Sequence, residues 1–509
     1  LALAGGLERK DPVKDVKRAV VIGSGFGGLA AAIRLQALGF STTILEKNDQ
    51  VGGRAGRIRE KGYVFDAGPS LITAPSVIDS LYKSGGTSLE AELRLVPLDS
   101  YYRVHFHDGT WIDYSGDANA MKEQMRRFDP RDAEAYDRFQ ADADPLRREV
   151  MSESLGGAPL DTWGKMLAFV PKALRLKAFL PLHFHVARYF RDFRHRFLFS
   201  FHPLLIDGDP FRSPSIYRMI SSLEKVEGVW FAPGGMHALV ESFAGLFERN
   251  GGRIVLGAQV ERIVVEGGRA RSVVAGGVEH PADLVVSNAD VGHTYRDLVD
   301  ASHRPTWTDR KVAKMDQSMS CFLLYLGVKR RYDKLHHHTL ILSERYRELV
   351  RDIFQRKILP DDFSLYLHTP TRTDPSLAPE GCESIYVLSP VANNRSGIDW
   401  EKQKDRYAAK ILDFLESWGL EGLRDNLEVC RVVTPDHFQK NLNSLDGNAF
   451  GISPGLLQTG VLRPHNRSED IPNLYFVGAG THPGAGVPGV LLSAQAMEKC
   501  VREDFPLAA

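Results

Sequence analysis

The stretch Arg18-Ala-Val-Val-Ile-Gly-Ser-Gly-Phe-Gly-Gly-Leu-Ala-Ala-Ala-Ile33 decides the fold of this chain. Its first part is rich in β-branched residues and predicts a strand, whereas the Ala- and Leu-rich residues 29–38 predict a helix. Gly23 permits the tight turn between them, Gly25 leaves room for a pyrophosphate to approach the backbone, and Gly28 lets the helix pack closely on the strand. Because the N-terminus of a helix attracts anions through its unpaired N–H groups, the stretch predicts a dinucleotide-binding site.

An acidic residue follows at the place where such a site needs one. Glu46 ends the apolar run Ser41-Thr-Thr-Ile-Leu45, which predicts a second strand. Its carboxylate is placed to accept hydrogen bonds from an adenosine ribose, and its charge would repel a 2′-phosphate. The segment Val51-Gly-Gly-Arg-Ala-Gly56 comes next. This Glu followed by Gly-Gly-Arg resembles the FAD-binding signature of the amine oxidase and carotenoid desaturase superfamily, which implies FAD as the cofactor and places Arg54 along its phosphates.

Length and charge bound the class of protein. The chain has 509 residues, with 64 basic and 64 acidic side chains, so two or more domains are expected and a nucleic-acid partner is not. Its four cysteines are far apart and form no C-x-x-C pair, which fits a reduced, cytoplasmic location and indicates neither a zinc site nor a disulfide framework. The sequence contains no window of about twenty uncharged apolar residues, so no membrane span is predicted. The opening Leu1-Ala-Leu-Ala-Gly-Gly6 is too short for a secretory signal, and we expect a disordered leader there.

Six further stretches carry a more specific resemblance. They are Phe199 to Phe211, Ser215 to Ile220, Gly228 to Leu239, Ser287 to Tyr295, Leu377 to Gly381, and Arg463 to Asn466. They look like the bacterial and fungal-type phytoene desaturases, and the likeness runs over nearly the whole chain. It implies an FAD-dependent oxidoreductase that introduces double bonds into phytoene and yields more conjugated carotenoids such as neurosporene or lycopene. It also places the backbone of Val260 against the adenine.

The C-terminal part predicts a second glycine turn. Asn473-Leu-Tyr-Phe-Val477 reads as a strand, and Gly478 to Gly489 as a long turn before a helix that runs through Met497. In the superfamily this turn wraps the FAD phosphates and brings the helix N-terminus toward the flavin, where its positive end stabilises a reduced ring. With only about twenty residues after the turn, we expect no separate nicotinamide domain. The FAD-binding residues assigned in this way are Gly23, Gly25, Gly28, Glu46, Lys47, Gly53, Arg54, Val260, Gly480, Thr481, Val487 and Pro488.

These observations predict an α/β architecture built from separated segments. A Rossmann-like FAD-binding domain takes residues 15–75, 225–300 and 460–505, an α+β substrate-binding domain takes 76–150, 200–224 and 301–459, and residues 151–199 form a membrane-facing helical insertion. Within the first domain, Gly251 to Val265 reads as two strands that return to the dinucleotide sheet. In the second, Ser320 to Leu326 and Ser384 to Leu388 read as core strands.

The insertion is predicted from charge and periodicity. Lys165 to Arg196 contains eight Lys or Arg residues against one acid, Asp192. An aromatic and apolar stripe recurs in it at helical spacing, at Val186, Tyr189, Phe190, Phe193 and Phe197. Such a helix can lie in a membrane interface, with its cations at the lipid headgroups. The alternative is that the stripe packs on the protein core and the arginines are solvated.

Two polar features have structural alternatives. Asp66, in Tyr63-Val-Phe-Asp-Ala-Gly-Pro-Ser70, is a candidate general base by its resemblance to segments beside the flavin, but an Asp before Gly-Pro also simply forms turns. His336, His337 and His338 are adjacent and cannot all point at one ion from a strand or a turn, so we expect a solvated loop and no metal.

The predicted substrate explains the predicted architecture. Phytoene dissolves only in a bilayer, so a peripheral membrane enzyme needs a membrane-facing entrance and an apolar tunnel. We expect hydride transfer from an allylic carbon to the flavin and then loss of a proton, with a quinone or oxygen as final acceptor; no catalytic residue is singled out. A carotenoid isomerase or retinoid saturase shares the fold, and a binding protein of the Rab GDP-dissociation-inhibitor kind shares it without chemistry.

Overall fold

The computed structural model describes residues 16–152, 155–206 and 208–505. The predicted leader lies outside these residues. The strands are β1 Arg18–Ile22, β2 Ser41–Leu45, β3 Arg57–Glu60, β4 Tyr63–Asp66, β5 Val96–Pro97, β6 Tyr102–His105, β7 Trp111–Tyr114, β8 Trp230–Phe231, β9 Arg253–Val255, β10 Val260–Glu266, β11 Arg269–Ala275, β12 Val278–Pro281, β13 Leu284–Ser287, β14 Ser320–Val328, β15 His338–Ile341, β16 Leu365–His368, β17 Glu383–Val391, β18 Leu427–Val433 and β19 Leu474–Phe476.

Sixteen α-helices occur in the described part of the chain. They are α1 Phe26–Ala37, α2 Pro75–Ser84, α3 Leu89–Glu92, α4 Ala118–Arg126, α5 Pro130–Val150, α6 Trp163–Arg175, α7 Leu182–Val186, α8 Phe193–Leu198, α9 Met219–Glu227, α10 Met236–Arg249, α11 Val291–His293, α12 Asp309–Lys314, α13 Tyr346–Arg351, α14 Trp400–Trp418, α15 Pro435–Leu442 and α16 Val487–Asp504. None of the helices described is long and apolar enough to cross a bilayer.

A parallel sheet forms around the first glycine turn. Its strand order is β19-β13-β1-β2-β9, and its strands come from three separate stretches of the chain, as predicted. Val21 and Leu29 are completely buried, because α1 packs against this sheet and is itself covered by α10 and α16. Parallel strands with both faces covered read as continuous apolar runs, which is why the sequence identified β1 and β13.

The prediction for Gly251 to Val265 is half right. β9 joins the parallel sheet beside β2, but β10 pairs antiparallel with β11 in a separate sheet of order β10-β11-β12. In β10, Ile263 and Val265 are buried while Glu261 and Glu266 are exposed. Such alternation belongs to a sheet with one face in water, and a strand covered on both faces does not show it.

The second large sheet is mixed and has seven strands, in the order β18-β14-β17-β16-β15-β6-β7. The predicted core strands are confirmed, since every residue of β14 is buried and β14 pairs along its whole length with β17. The predicted histidine loop is wrong. His338 begins β15 opposite His368 of β16, and both His337 and His338 are buried.

The prediction of one amphipathic helix with an exposed aromatic stripe is also wrong. Val186, Phe190 and Phe197 are buried in the core, as the alternative predicted, whereas Phe193 is 41% exposed. The helical period is broken because the carboxylate of Asp132 accepts hydrogen bonds from the backbone N–H groups of residues 191 and 192, which turns the chain between α7 and α8. Arg194, predicted to meet lipid headgroups or, in the alternative, water, pairs with Asp108 and Asp192 and lies over aromatic rings.

Candidate functional site

The first glycine turn has the steric properties that its sequence predicts. Gly23 has φ of +90°, a left-handed conformation that favours glycine. A Cβ on Gly28 would lie 2.0 Å from the Gly23 carbonyl oxygen, so α1 could not approach β1 with any other residue there. A Cβ on Gly25 would lie 2.7 Å from Oδ1 of Asn288. Among the described residues no side chain caps α1, and its first turn has no acid, so its N–H groups are open to an anion.

Glu46 is buried at the end of β2 and is held by four hydrogen bonds. The backbone N–H and the hydroxyl of Ser24 donate to Oε2 at 2.8 and 2.6 Å, and the N–H and amide of Asn48 donate to Oε1 at 2.9 Å each. The neighbouring Lys47 donates to the Lys440 carbonyl and to Oδ1 of Asn443. Burial lowers the pKa of Lys47, with Glu46 opposing that shift. The carboxylate is thus fixed, and Lys47 ties the glycine-turn region to the α15 terminus.

Arg54 brings a positive charge to the same place. Its Nη2 lies 2.6 Å from the hydroxyl of Ser444 and 3.1 Å from Oδ1 of Asn448, while its buried Nε has no partner in the described residues. Burial lowers the pKa of Arg54, and the charge of Asp290 opposes that shift. A desolvated guanidinium with a free donor suits a phosphate or another anion.

The second glycine turn is braced from behind. The buried guanidinium of Arg463 donates to the carbonyls of Ala479 and Thr481 at 2.6 and 3.0 Å. Nδ2 of Asn466 donates to the His482 carbonyl at 3.0 Å. α16 starts after this turn with neither a capping side chain nor an acid in its first turn. The helix N-terminus is therefore free to face an electron-rich group.

Both glycine turns face one cavity of about 570 Å³. Of the twelve predicted residues, ten line it: Gly23, Gly25, Glu46, Lys47, Gly53, Arg54, Val260, Gly480, Val487 and Pro488. The other two lie behind the wall. Gly28 packs on Gly23, and the Thr481 hydroxyl donates to the Pro464 carbonyl at 2.7 Å.

The cavity continues away from the glycine turns as an apolar space. It passes the side chains of α9 and reaches the inner face of α6, where Met166 and Phe169 line it. Polar residues also line it, among them Glu224 and His202. Glu224 on α9 is 1% exposed, with Oε2 3.0 Å from Nε2 of His202, and Oε1 accepts a hydrogen bond from the Tyr102 hydroxyl. A substrate in this space would meet mostly apolar side chains, and Glu224 is the carboxylate among the residues that line it.

Asp66 has a structural role that differs from the catalytic one considered for it. Its carboxylate accepts hydrogen bonds from the N–H groups of Met236 and His237, at 2.9 and 3.3 Å, and so caps the N-terminus of α10. Burial raises the pKa of Asp66 to about 6, against these hydrogen bonds. Asp66 is not among the residues that line the cavity.

Sequence reasoning gave no role to several residues that complete the site. Asn288 follows β13 and lies against three glycines of the two turns, where a Cβ would approach its amide within 2.7 Å. Asn448 links Arg54 to Asp290 through its amide. For Asn288 and Asp290, the only sequence signal of a role in the site was their place in the stretch Ser287 to Tyr295, which resembles the phytoene desaturases. Asn448, Ser444 and Glu224 had none.

The residues present fit FAD. A glycine cradle that a Cβ would fill, two uncapped helix N-termini and an unpaired buried guanidinium donor meet at one end of the cavity. These are groups for a pyrophosphate. Glu46 and the backbone of Val260 line the same end, where a ribose and an adenine would need them.

Comparisons with known proteins agree with this site. The family model of flavin containing amine oxidoreductases matches residues 26–497. The chain is 44% identical over 494 residues to a lycopene-forming phytoene desaturase of Pseudescherichia vulneris, covering 96% of this chain and 100% of that protein. It is 39% identical over 503 residues to a neurosporene-forming phytoene desaturase of Rhodobacter capsulatus, covering 97% and 96%.

Solved structures share the fold at low identity. An oxidoreductase from Methanosarcina mazei superposes with a TM-score of 0.62 at 17% identity, over 95% of this chain and 100% of that one. A putrescine oxidase also superposes with a TM-score of 0.62, at 15% identity, over 97% and 99%. The dinucleotide-binding end of the cavity, the match to the family model and the identity to these desaturases lead to one conclusion. This chain belongs to the flavin containing amine oxidoreductases and, among them, to the phytoene desaturases.

Proposed function

We propose that this chain is an FAD-dependent oxidoreductase that desaturates phytoene to more conjugated carotenoids such as neurosporene or lycopene. The observation that carries the proposal is the single cavity, which joins a dinucleotide-binding end to a long apolar space. A hydrocarbon offers no polar group for recognition, so it must be held by shape and by exclusion from water. Relatives that are named phytoene desaturases cover 96% and 97% of the chain.

The chain's own residues have distinct tasks at the two ends. When bound, FAD supplies the hydride acceptor. The N-terminus of α1 and Arg54 bind its phosphates, and Glu46 orients the ribose. The N-terminus of α16 presents a positive dipole end at the junction with the apolar space. Leu223, Ile220 and their neighbours keep water from the substrate, which protects a cationic hydrocarbon from hydration.

Glu224 is the proposed proton acceptor. The carboxylates that line the cavity in the described chain are Glu46, Asp290 and Glu224, and Glu224 alone lies away from the glycine turns. A substrate carbon next to the electron-poor centre gives up a proton, and the electron pair of that C–H bond becomes the new π bond. Glu224 takes the proton, while His202 and Tyr102 hold the carboxylate in place.

The outer face of α6 supports a membrane-facing entrance. Trp163, Leu167 and Leu174 lie on one side of the helix and are 61%, 63% and 61% exposed. A neighbouring side lines the cavity through Met166 and Phe169. We call the three exposed residues the α6 patch. A helix that is apolar toward both the solvent and the cavity suits insertion into the acyl boundary, with phytoene passing beside it.

Removing the α6 patch should release the protein from membranes. Leu167→Asp together with Leu174→Asp is expected to abolish flotation with vesicles that contain anionic lipid, because two charges would have to enter the acyl boundary. Val278→Asp is the control, since Val278 is also an exposed apolar residue, 58% exposed, but lies on β12 and not on α6. FAD content should stay unchanged in both variants. Flotation of the double variant equal to that of the control would contradict the entrance at α6.

The reaction itself is tested with phytoene in liposomes. We expect products lighter by multiples of two hydrogen atoms, with visible absorption that grows as conjugation lengthens. A quinone in the same bilayer is the proposed electron acceptor, with oxygen as the alternative, and omission of both should stop turnover after one round. Products of unchanged mass with altered double-bond geometry would instead identify a carotenoid isomerase. Bound phytoene that is never converted would identify a binding protein.

A further inference from the structure

A buried cluster of three histidines lies outside the site described above. His338 begins β15, His337 directly precedes it, and His368 ends the neighbouring strand β16. His338 and His368 stand opposite each other in the strand register, with rings nearly parallel at 24° and centroids 5.0 Å apart. One potential ligand nitrogen from each of the three residues lies within 4.8 Å of the other two. The cluster thus gathers three imidazoles from two strands.

One distance within the cluster is that of a metal site. Nε2 of His337 and Nε2 of His368 are 3.2 Å apart. Two imidazole nitrogens bound to one tetrahedral Zn²⁺ at about 2.0–2.1 Å are themselves about 3.3 Å apart. Three adjacent histidines cannot converge on one ion. This cluster avoids that difficulty, because His368 of β16 takes the place of His336.

The unpaired nitrogen of His338 is the second observation. His338 is 1% exposed, and its Nε2 has no hydrogen-bond partner in the described chain. A direct hydrogen bond between His337 and His368 would satisfy those two rings and leave this third nitrogen buried and unpaired. Native proteins rarely leave such a group without a partner, and an ion at the centre would satisfy all three rings at once.

The remaining ring nitrogens are oriented by outer partners. Nδ1 of His337 lies 2.6 Å from Oγ1 of Thr373, and Nδ1 of His338 lies 2.8 Å from the Tyr366 hydroxyl. If both Nδ1–H groups donate, both Nε2 atoms keep their lone pairs for a metal, as outer-shell partners of histidine ligands require.

We propose that His337, His338 and His368 bind one divalent first-row transition metal ion, with Zn²⁺ the best fit to three imidazoles and an open fourth position. The ion would join β15 to β16. It would also fix Tyr366, which lines the cavity and whose hydroxyl lies 2.5 Å from Oγ of Ser70. This site does not depend on the proposed desaturation.

Metal analysis of the FAD-loaded protein tests the proposal. The protein is produced without a polyhistidine tag, supplied with Zn²⁺ and freed of loosely bound metal by dialysis. We expect about one Zn²⁺ per chain, and X-ray absorption at the zinc edge should show three imidazole nitrogens at about 2.0–2.1 Å. Less than one ion in ten chains, or a zinc environment with fewer than three imidazoles, overturns the proposal whether or not any variant folds.

Two variants locate the ion. Thr373→Val removes an outer partner and should weaken Zn²⁺ binding by about 10- to 100-fold, and His338→Phe, which removes a ligand, should weaken it more. His336→Phe is the matched control, because His336 neighbours the cluster in sequence and does not belong to it. Undiminished zinc in His338→Phe, or equal loss in His336→Phe, places the ion elsewhere and overturns the assignment.

Discussion

Gly25→Val is expected to abolish FAD retention. The new side chain would enter the space between the two glycine turns, where even its first carbon would lie 2.7 Å from Oδ1 of Asn288. It would also occupy the approach of the pyrophosphate to the α1 N-terminus. The blocked approach removes the phosphate contacts of this helix terminus, so FAD affinity should fall by about 100-fold or more, which corresponds to about 2.8 kcal/mol. Flavin absorbance after reconstitution and gel filtration measures the loss.

The control for this variant is the same substitution in open space. A Cβ on Gly164, in the first turn of α6, would meet no atom within 4 Å. Gly164→Val should therefore keep full flavin occupancy. Circular dichroism of Gly25→Val should match the parent, since the change lies in a turn. Full flavin occupancy in Gly25→Val would refute the assignment of the cradle to FAD.

Glu224→Gln is expected to lower kcat for desaturation by about 10²- to 10⁴-fold, the range for loss of a positioned general base. Glutamine keeps the shape of the side chain and can still meet His202 and Tyr102, but it cannot take a proton. Because Glu224 lies away from the glycine turns, FAD occupancy should not change. Initial rates of product formation from phytoene in liposomes, normalised to bound flavin, give the comparison.

Glu266→Gln is the control, an identical change at an exposed position on β10. It should leave the rate at the parent value. A Glu224→Gln enzyme that matches this control, with full flavin content and intact vesicles, would remove Glu224 from the chemistry. The assignment of FAD and of the substrate would survive that result, because both rest on other residues.

The glycine turns could be predicted from the sequence because their chemistry is local. The spacing of Gly23, Gly25 and Gly28 is set by one turn between one strand and one helix, and each glycine meets its constraint within that unit. The core strands β14 and β17 could be predicted for a similar reason, since burial on both faces leaves a continuous apolar run in the sequence. In contrast, the prediction of one continuous helix from Val186 to Phe197 was wrong, because periodicity cannot reveal that Asp132 turns the chain at residues 191 and 192.

The rest of the site depends on contacts between distant segments. Glu224 and His202 meet in space through the packing of α9 against a short turn, and neither stands in a pattern that marks a base. His368 joins His337 and His338 only because β16 pairs with β15. Arg54 was recognised through a local signature, but its partners Ser444 and Asn448 lie about 390 residues away. Long-range pairing of this kind leaves no mark in a single sequence.

The parallel sheet built from three stretches has a consequence for how the protein is made. β1 pairs with β13, and β13 pairs with β19, so the sheet lacks its last strand until residues 474–476 have been synthesised. Contacts of such large sequence separation form slowly, and unpaired strand edges are prone to aggregation while they wait. The newly made chain should therefore need protection by chaperones. In cells short of FAD, the protein should accumulate in inclusion bodies, because a ligand that binds only the completed sheet shifts the equilibrium toward the folded state.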